Sequence, residues 1–142
     1  MSDSCIFCKI AAKEIPASII WEDERYLAFL DIKPTTRGHT LIIPKQHYRT
    51  FLDVPETELH TYSLAIQRVG KILKEALQFD GFNLFQNNEE VAGQIVFHVH
   101  FHLVPRYSAT DIQYQRPQVS YTEGEVESII QSCKDISTKL GY

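Results

Sequence analysis

His98-Val99-His100-Phe101-His102-Leu103-Val104 is the stretch on which the reading of this chain turns. On an extended backbone alternate side chains point to the same side, so the three imidazoles share one face and Val99, Phe101 and Leu103 share the other. The apolar side belongs against a core. The imidazole side must meet something polar, because neighbouring rings repel one another when protonated and lose hydration when buried without partners. A single histidine such as His47 or His60 needs no function. Three in strict alternation point to a metal site or to catalysis.

Working outward, Gln94 to Val104 reads as a strand that Pro105 ends. Before it lie a loop from Asn87 to Gly93 and a strand from Phe82 to Gln86. Leu59, Tyr62, Ile66, Val69, Ile72, Leu73, Ala76 and Leu77 recur at steps of three and four, which predicts one long amphipathic helix with Pro55 in its first turn. Upstream, His39 to Pro44 is a strand. Ser18 to Trp21 and Tyr26 to Asp31 form a hairpin candidate around the charged turn Glu22-Asp23-Glu24-Arg25, and Cys5 to Ala12 holds one or two helical turns. Downstream, Arg106 to Tyr121 reads as an irregular tail. Thr122 and Glu125 form a capping box for a helix whose apolar face carries Val126, Ile129, Ile130, Cys133, Ile136 and Leu140, with Cys133 as a core thiol. Strands joined by short loops favour an α+β domain: a mostly antiparallel five-stranded sheet with one long helix and a C-terminal helix.

The chain has 142 residues, 44% of them hydrophobic, which suits one domain with a real core: residues 1–107 as its body and 108–142 as tail and helix. A net charge of −4 gives no basic footprint for nucleic acid, and no apolar run reaches membrane-spanning length. The start, Met1-Ser2-Asp3-Ser4-Cys5, lacks the basic and apolar regions of an export signal, and three cysteines make no disulfide framework, so the expectation is a reducing cytoplasm.

The His-x-His-x-His pattern with apolar residues between resembles the histidine-triad (HIT) nucleotide hydrolases and transferases. The resemblance extends to Phe29-Leu30-Asp31-Ile32, to Gly38-His39-Thr40-Leu41-Ile42-Ile43-Pro44-Lys45, to Asn87 and to Gly93-Gln94, covering roughly residues 5 to 107. The layout is most similar to the Hint branch, including its members with an N-terminal Cys-x-x-Cys.

The resemblance implies a HIT-like fold and a nucleoside phosphoramidase type of activity. His100 would attack the α-phosphate of a purine nucleotide adduct, giving a covalent nucleotidyl-histidine that water cleaves to release AMP or GMP. A neutral imidazole suits that role, with one ring nitrogen carrying the lone pair and the other donating its proton to an acceptor such as a backbone carbonyl. His102 would donate to a phosphate oxygen, and His39 is the family's additional histidine near the phosphate. Asn87, Gly93 and Gln94 would serve the phosphate. Asp31 would accept from ribose hydroxyls, although its spacing also suits a turn residue capping the Lys33-Pro34 loop. Ile6, Phe7, Ile10, Phe29, Leu30 and Ile32 would line the base pocket, with plain core packing as the alternative for each. No Walker sequence or carboxylate cluster suited to Mg²⁺ occurs, so no Mg²⁺ requirement is expected. A dinucleoside polyphosphate hydrolase (Ap₃A or Ap₄A) and a low-turnover nucleotide-binding signalling partner are the other readings.

Cys5-x-x-Cys8 alone is a two-ligand hook or a redox pair. The resemblance completes it with His47, from the Pro44-Lys45-Gln46-His47 stretch, and His98. That gives a Cys₂His₂ structural zinc. The resemblance further implies a homodimer formed through the long helix and a neighbouring strand, with Tyr107, Tyr114 and Tyr121 as tail residues reaching the partner's site. Ile95 departs from the pattern: many relatives carry Ser or Thr there, so a hydroxyl donor is missing beside the phosphate.

Overall fold

The structure is a computed structural model that describes residues 4–108 and 118–141. The chain divides into two compact units, Met1–Ile112 and Gln113–Tyr142.

Asp23 makes the first turn of the first unit. Its Oδ1 accepts from the N–H groups of Arg25 and Tyr26 at 2.9 and 2.8 Å, reversing the chain between β1 (Ile19–Glu22) and β2 (Tyr26–Leu30). Gly38, at φ +85°, turns the backbone into β3 (Thr40–Pro44). A Cβ there would lie 2.3 Å from Leu77 Cδ1. β4 (Gly81–Phe85) and β5 (Phe101–Arg106) complete an open five-stranded sheet in the order β1-β2-β3-β5-β4, every neighbouring pair antiparallel. β5 therefore runs between two partners, and its side chains are fixed on both sides.

The two faces of the sheet are covered differently. α2 (Glu56–Leu77) lays Tyr62, Ala65, Ile66, Val69 and Leu73 on the face that carries Ala28, Ile42, Val99 and Leu103. Tyr62, 1% exposed, stacks on Tyr26 at 5.1 Å and donates its hydroxyl to Ile42 O at 2.7 Å, so its buried oxygen is satisfied. The other face holds Leu27, Phe29, Leu41 and Ile43, against which the short α1 (Ile6–Ala11) sets Phe7 and Ile10.

The triad strand is shorter than its alternation predicts. Residues 94–100 carry no ladder and bend at 96–98, where His98 N–H turns back to Val96 O at 2.9 Å; pairing starts at Phe101. The register pairs Ile42 with Phe101, so Val99 would face Pro44, which has no N–H to give. Val99 N–H turns instead to Tyr48 O at 2.7 Å, and the Pro44 carbonyl accepts from the His98 ring at 2.8 Å. The alternation of faces survives: Val99 and Leu103 lie in the core under α2 while the imidazoles face the other way.

The second unit holds α3 (Glu125–Leu140), starting at Gly124 in the left-handed region. Glu125 reaches back to Thr122 N–H at 2.7 Å, one half of the expected box. None of its residues is buried, and Cys133 is exposed, contrary to the core thiol expected from its place on the apolar face: helical spacing shows which face is apolar but not that anything covers it. Tyr114 lies outside the described residues; Tyr121 is exposed, and Tyr107 donates to Arg37 O at 2.9 Å. No helix among the described residues is long and apolar enough to cross a membrane.

Candidate active site and metal centre

The hydrogen bonds around the imidazoles determine where each proton sits. His100, 5% exposed, has Nδ1 2.7 Å from the His98 carbonyl. A carbonyl only accepts, so Nδ1 carries the hydrogen and Nε2 keeps a lone pair. His98, with no exposed surface, has Nε2 on Pro44 O, so its proton is on Nε2 and its lone pair on Nδ1. Thr35 N–H donates to His39 Nδ1 at 3.0 Å, which places the His39 proton on Nε2. That proton faces His102 Nδ1 at 2.9 Å, so the His102 proton is on Nε2. A single backbone amide thus sets two tautomers in series. Phe85 stacks on the His102 ring at 4.7 Å and 9°, and Phe7 meets the His100 ring edge-on at 5.1 Å, holding both rings in orientation.

Burial keeps these rings neutral. It pulls His102 down to about 4, helped by the His100 and His39 rings, and holds His100 and His39 below the usual imidazole range. Asp31 opposes the shift at His39, its Oδ2 lying 3.7 Å from Nε2. Asp31 Oδ1 accepts from Lys33 N–H at 2.8 Å, so the residue caps its loop while its other oxygen faces the histidines.

The loop before the triad is braced from inside. Gln94, 2% exposed, accepts from Glu89 N–H at 2.7 Å and donates to Arg49 O and Val96 O at 2.7 and 3.2 Å. Its amide is committed to holding the loop. Gly93, at φ +86°, receives the Asn87 side-chain amide on its carbonyl at 3.3 Å. Arg49 pairs with Glu89 through both Nε and Nη2 and lies 4.3 Å over the Phe97 ring. Of the residues expected around a base, Phe7, Ile10 and Phe29 are buried in the core under α1, while Ile6 and Ile32 are exposed and Leu30 sits at the margin.

Cys5, Cys8, His47 and His98 come together, with one ligand atom from each within 4.8 Å of the others. The N···S distances are 3.5 Å for Cys5–His98, 3.6 Å for Cys8–His98 and 3.3 Å for Cys8–His47, all to Nδ1. A tetrahedral zinc with Zn–S of about 2.3 Å and Zn–N of about 2.0–2.1 Å has an N···S edge of about 3.6 Å. The donor set therefore fits zinc, and the Pro44 carbonyl leaves the right nitrogen of His98 available. Asp31, His39 and His102 also gather three ligand atoms. That set does not fit a cation, because the Thr35 amide keeps a proton on the nitrogen of His39 that would have to bind it.

Thr35, Phe85 and Arg49, the partner of Glu89, were not marked by sequence reasoning. Phe85 is signalled by register alone, since it lies opposite His102. Thr35 acts through its backbone, which leaves no trace in residue type.

The chain is 52% identical over 103 residues, 72% of its length and 79% of the other's, to the uncharacterized HIT-like protein MJ0866 of Methanocaldococcus jannaschii. It is 47% identical over 103 residues, 72% of this chain and 63% of the other, to the adenosine 5'-monophosphoramidase HNT1 of Saccharomyces cerevisiae. To the adenylylsulfatase HINT3 of Arabidopsis thaliana it is 38% identical over 106 residues, 75% of this chain and 54% of the other. A Bacillus subtilis HIT-family crystal structure superposes with a TM-score of 0.84 at 36% identity, covering 94% of this chain and 96% of that one. A zinc-bound histidine triad family protein from Mycobacterium smegmatis superposes at 0.73 with 36% identity, covering 96% and 99%. The HIT domain family model matches residues 12–109, the body of the sheet and the triad with it, and the chain belongs to the HIT family.

Proposed function

We propose that this protein hydrolyses purine-nucleotide adducts at the α-phosphate, with His100 as the nucleophile and a nucleotidyl-histidine as the intermediate. The observation that carries this reading is the His98 carbonyl on His100 Nδ1, which leaves the Nε2 lone pair for phosphorus. Attack forms the N–P bond, and the bond to the leaving group breaks with its electron pair. The ring keeps its Nδ1 hydrogen and carries the positive charge, which the His98 carbonyl stabilises. Water then attacks phosphorus and gives up one proton to solvent, the N–P bond returns its pair to Nε2 so that the ring is again neutral, and the nucleoside monophosphate leaves. His102 Nε2–H is the donor for a non-bridging oxygen. In this reading Asp31 would accept from ribose hydroxyls, Asn87 and Gly93 would serve the phosphate, and Ile6, Leu30 and Ile32, with Phe7, Ile10 and Phe29, would line the base.

Cys5, Cys8, His47 and His98 are the residues that would hold zinc, which would supply a structural crosslink between α1, the loop after β3 and the triad strand. Thiolate ligands suit a reducing cytoplasm. The broad apolar cavity of ≈ 890 Å³ on α2 and β4, lined by Leu59, Tyr62, Ile66, Phe82 and Leu84, favours a homodimer through that face.

The names of two relatives, a monophosphoramidase and an adenylylsulfatase, support adenylyl adducts as the substrate class. The test is a panel of adenosine phosphoramidate, diadenosine triphosphate and diadenosine tetraphosphate, run with the wild type and with His100→Ala. Turnover of the phosphoramidate that is lost in His100→Ala is expected. Preference for the tetraphosphate would favour the polyphosphate reading, and turnover unaltered by His100→Ala would overturn the mechanism.

A further inference from the structure

α3 keeps an apolar face in water. Val126, Ile129, Ile130, Ile136 and Leu140 are each between 41% and 60% exposed, and Cys133 is exposed among them. Val126, Ile129, Cys133, Ile136 and Leu140 follow one another at steps of three, four, three and four. That is the 3.5-residue repeat by which one helix packs along another, and its stripe is narrower than a helix lying on a sheet needs. Only Ile130 widens it. The helix is tied at both ends, by Glu125 on the Thr122 N–H and by Gly141, whose N–H returns to Ser137 O and Thr138 O. The seam is therefore carried by a formed helix, about 24 Å long.

The residues flanking the seam choose the occupant. Directly before Val126, Cys133 and Leu140 stand Glu125, Ser132 and Lys139; directly after Ile129 and Ile136 stand Ile130 and Ser137. Set a second α3 antiparallel to the first, with Val126 opposite Ile136 of the second copy and Ile129 opposite Cys133 of the second copy. Each Glu125 then lies beside Lys139 of the other copy, once at either end, and Ile130 meets its own counterpart on the two-fold axis. The arrangement is isologous, and the helix dipoles oppose each other favourably. A parallel pair would instead set Glu125 beside Ile130 and Ser132 beside Ser137, with no opposite charges to join. Lys139 has no ion pair among the described residues. A lipid surface is a poorer match, because Glu127, Lys134 and Asp135 give the remaining polar side no basic face.

We infer that α3 is an interaction surface for a second copy of this chain, the two helices packing antiparallel along the seam from Val126 to Leu140. This surface is distinct from the face of α2 and β4, and it does not depend on the hydrolase reading.

The experiment treats the full chain at low salt with a short bismaleimide and identifies linked peptides by mass spectrometry. The antiparallel register sets the two Cys133 residues about 6 Å apart along the axis, one helical turn. A link between Cys133 of one chain and Cys133 of another is expected. Ile130→Glu, an exposed position, should abolish it. Glu125 and Lys139 lie about 21 Å apart on one helix, too far to pair within it. Lys139→Glu should therefore cut the link about two- to tenfold in the wild-type background and raise it in the Glu125→Lys background. That reversal of sign survives the loss of the Glu125 contact to Thr122, which weakens both arms of the Glu125→Lys comparison alike. A Cys133 that alkylates as a free thiol and gives no such link overturns the inference. So does a link unchanged by Ile130→Glu, which would be random collision. Lys139→Glu acting in the same direction in both backgrounds overturns it as well, since α3 would then pair in another alignment or with another partner.

Discussion

Removing one thiolate from the hook is the sharpest structural perturbation available. Cys8, 3% exposed, has Sγ within 3.6 Å of the Nδ1 atoms of both His47 and His98, so Cys8→Ser removes the ligand that touches both. A metal that binds only the folded chain stabilises it by RT ln(1 + [L]/Kd), about 2.7 kcal/mol at a free concentration 100 times Kd. For a chain of this length that corresponds to roughly 10 °C in Tm. α1 has six residues, too few to hold as a helix alone, and its Phe7 and Ile10 stay buried only while it is tethered. Loss of the metal should therefore cost this stability and loosen α1 first. The assay combines zinc content by mass spectrometry with calorimetric Tm at controlled free zinc, for wild type and variant. The wild type should hold one zinc per chain and gain about 1.4 kcal/mol per decade of free zinc above Kd, and the variant should do neither. Turnover per folded molecule should fall less than stability, because no ligand atom of the hook bonds phosphorus. A variant that keeps stoichiometric zinc, or a wild-type Tm indifferent to zinc, refutes the reasoning.

Other outcomes follow from single contacts. Gln94→Leu removes three part-buried hydrogen bonds to the backbone of Glu89, Arg49 and Val96 at the phosphate loop, so stability should drop by about 1–3 kcal/mol and kcat/KM should fall; a chemical denaturation midpoint within error of wild type would contradict this. Gly38→Ala places a Cβ at φ +85° against Leu77, one residue before His39, and should destabilise by about 1–3 kcal/mol, read by thermal melts. Burial sets His102 at about 4 against 6.5 in the unfolded chain, so the unfolded state binds a proton that the native state refuses between those values. Stability should therefore be complete above pH 6.5 and decline as pH falls from 6.5 toward 4, and the acid limb of kcat/KM should lie below pH 6.5. A limb at or above 6.5 would show that the site rings are not kept neutral. Arg49→Ala removes a solvent-screened exposed pair with Glu89 and should leave the denaturation midpoint within error of wild type; a clear drop would show that the pair braces the loop.

Much of this was legible in the chain. Alternation in residues 98–104 gives the two-faced presentation of the imidazoles because side-chain direction in an extended backbone is a local property. The periodicity of α2 was legible for the same reason. The end of the β5 ladder was not, because it depends on Pro44 standing opposite Val99, a matter of register between distant segments. Cys5, Cys8, His47 and His98 could be named from a family resemblance, but their N···S spacing needed the fold. The tautomer wire from Thr35 through His39 to His102 was invisible, since its first donor is a backbone N–H that any residue but proline supplies. Cys133 shows the opposite failure: amphipathic spacing was read correctly and burial did not follow from it.

The nucleophilic role of His100 is tested most directly by trapping the reaction before water completes it. Rapid quench into alkaline denaturant, which preserves phosphorus–nitrogen bonds, followed by peptide mass spectrometry locates any nucleotidyl group on the chain. A nucleotide monophosphate carried on His100 in the wild type, and by no residue in His100→Ala, is the predicted result. Product formed with no such adduct, or an adduct on another residue, contradicts it.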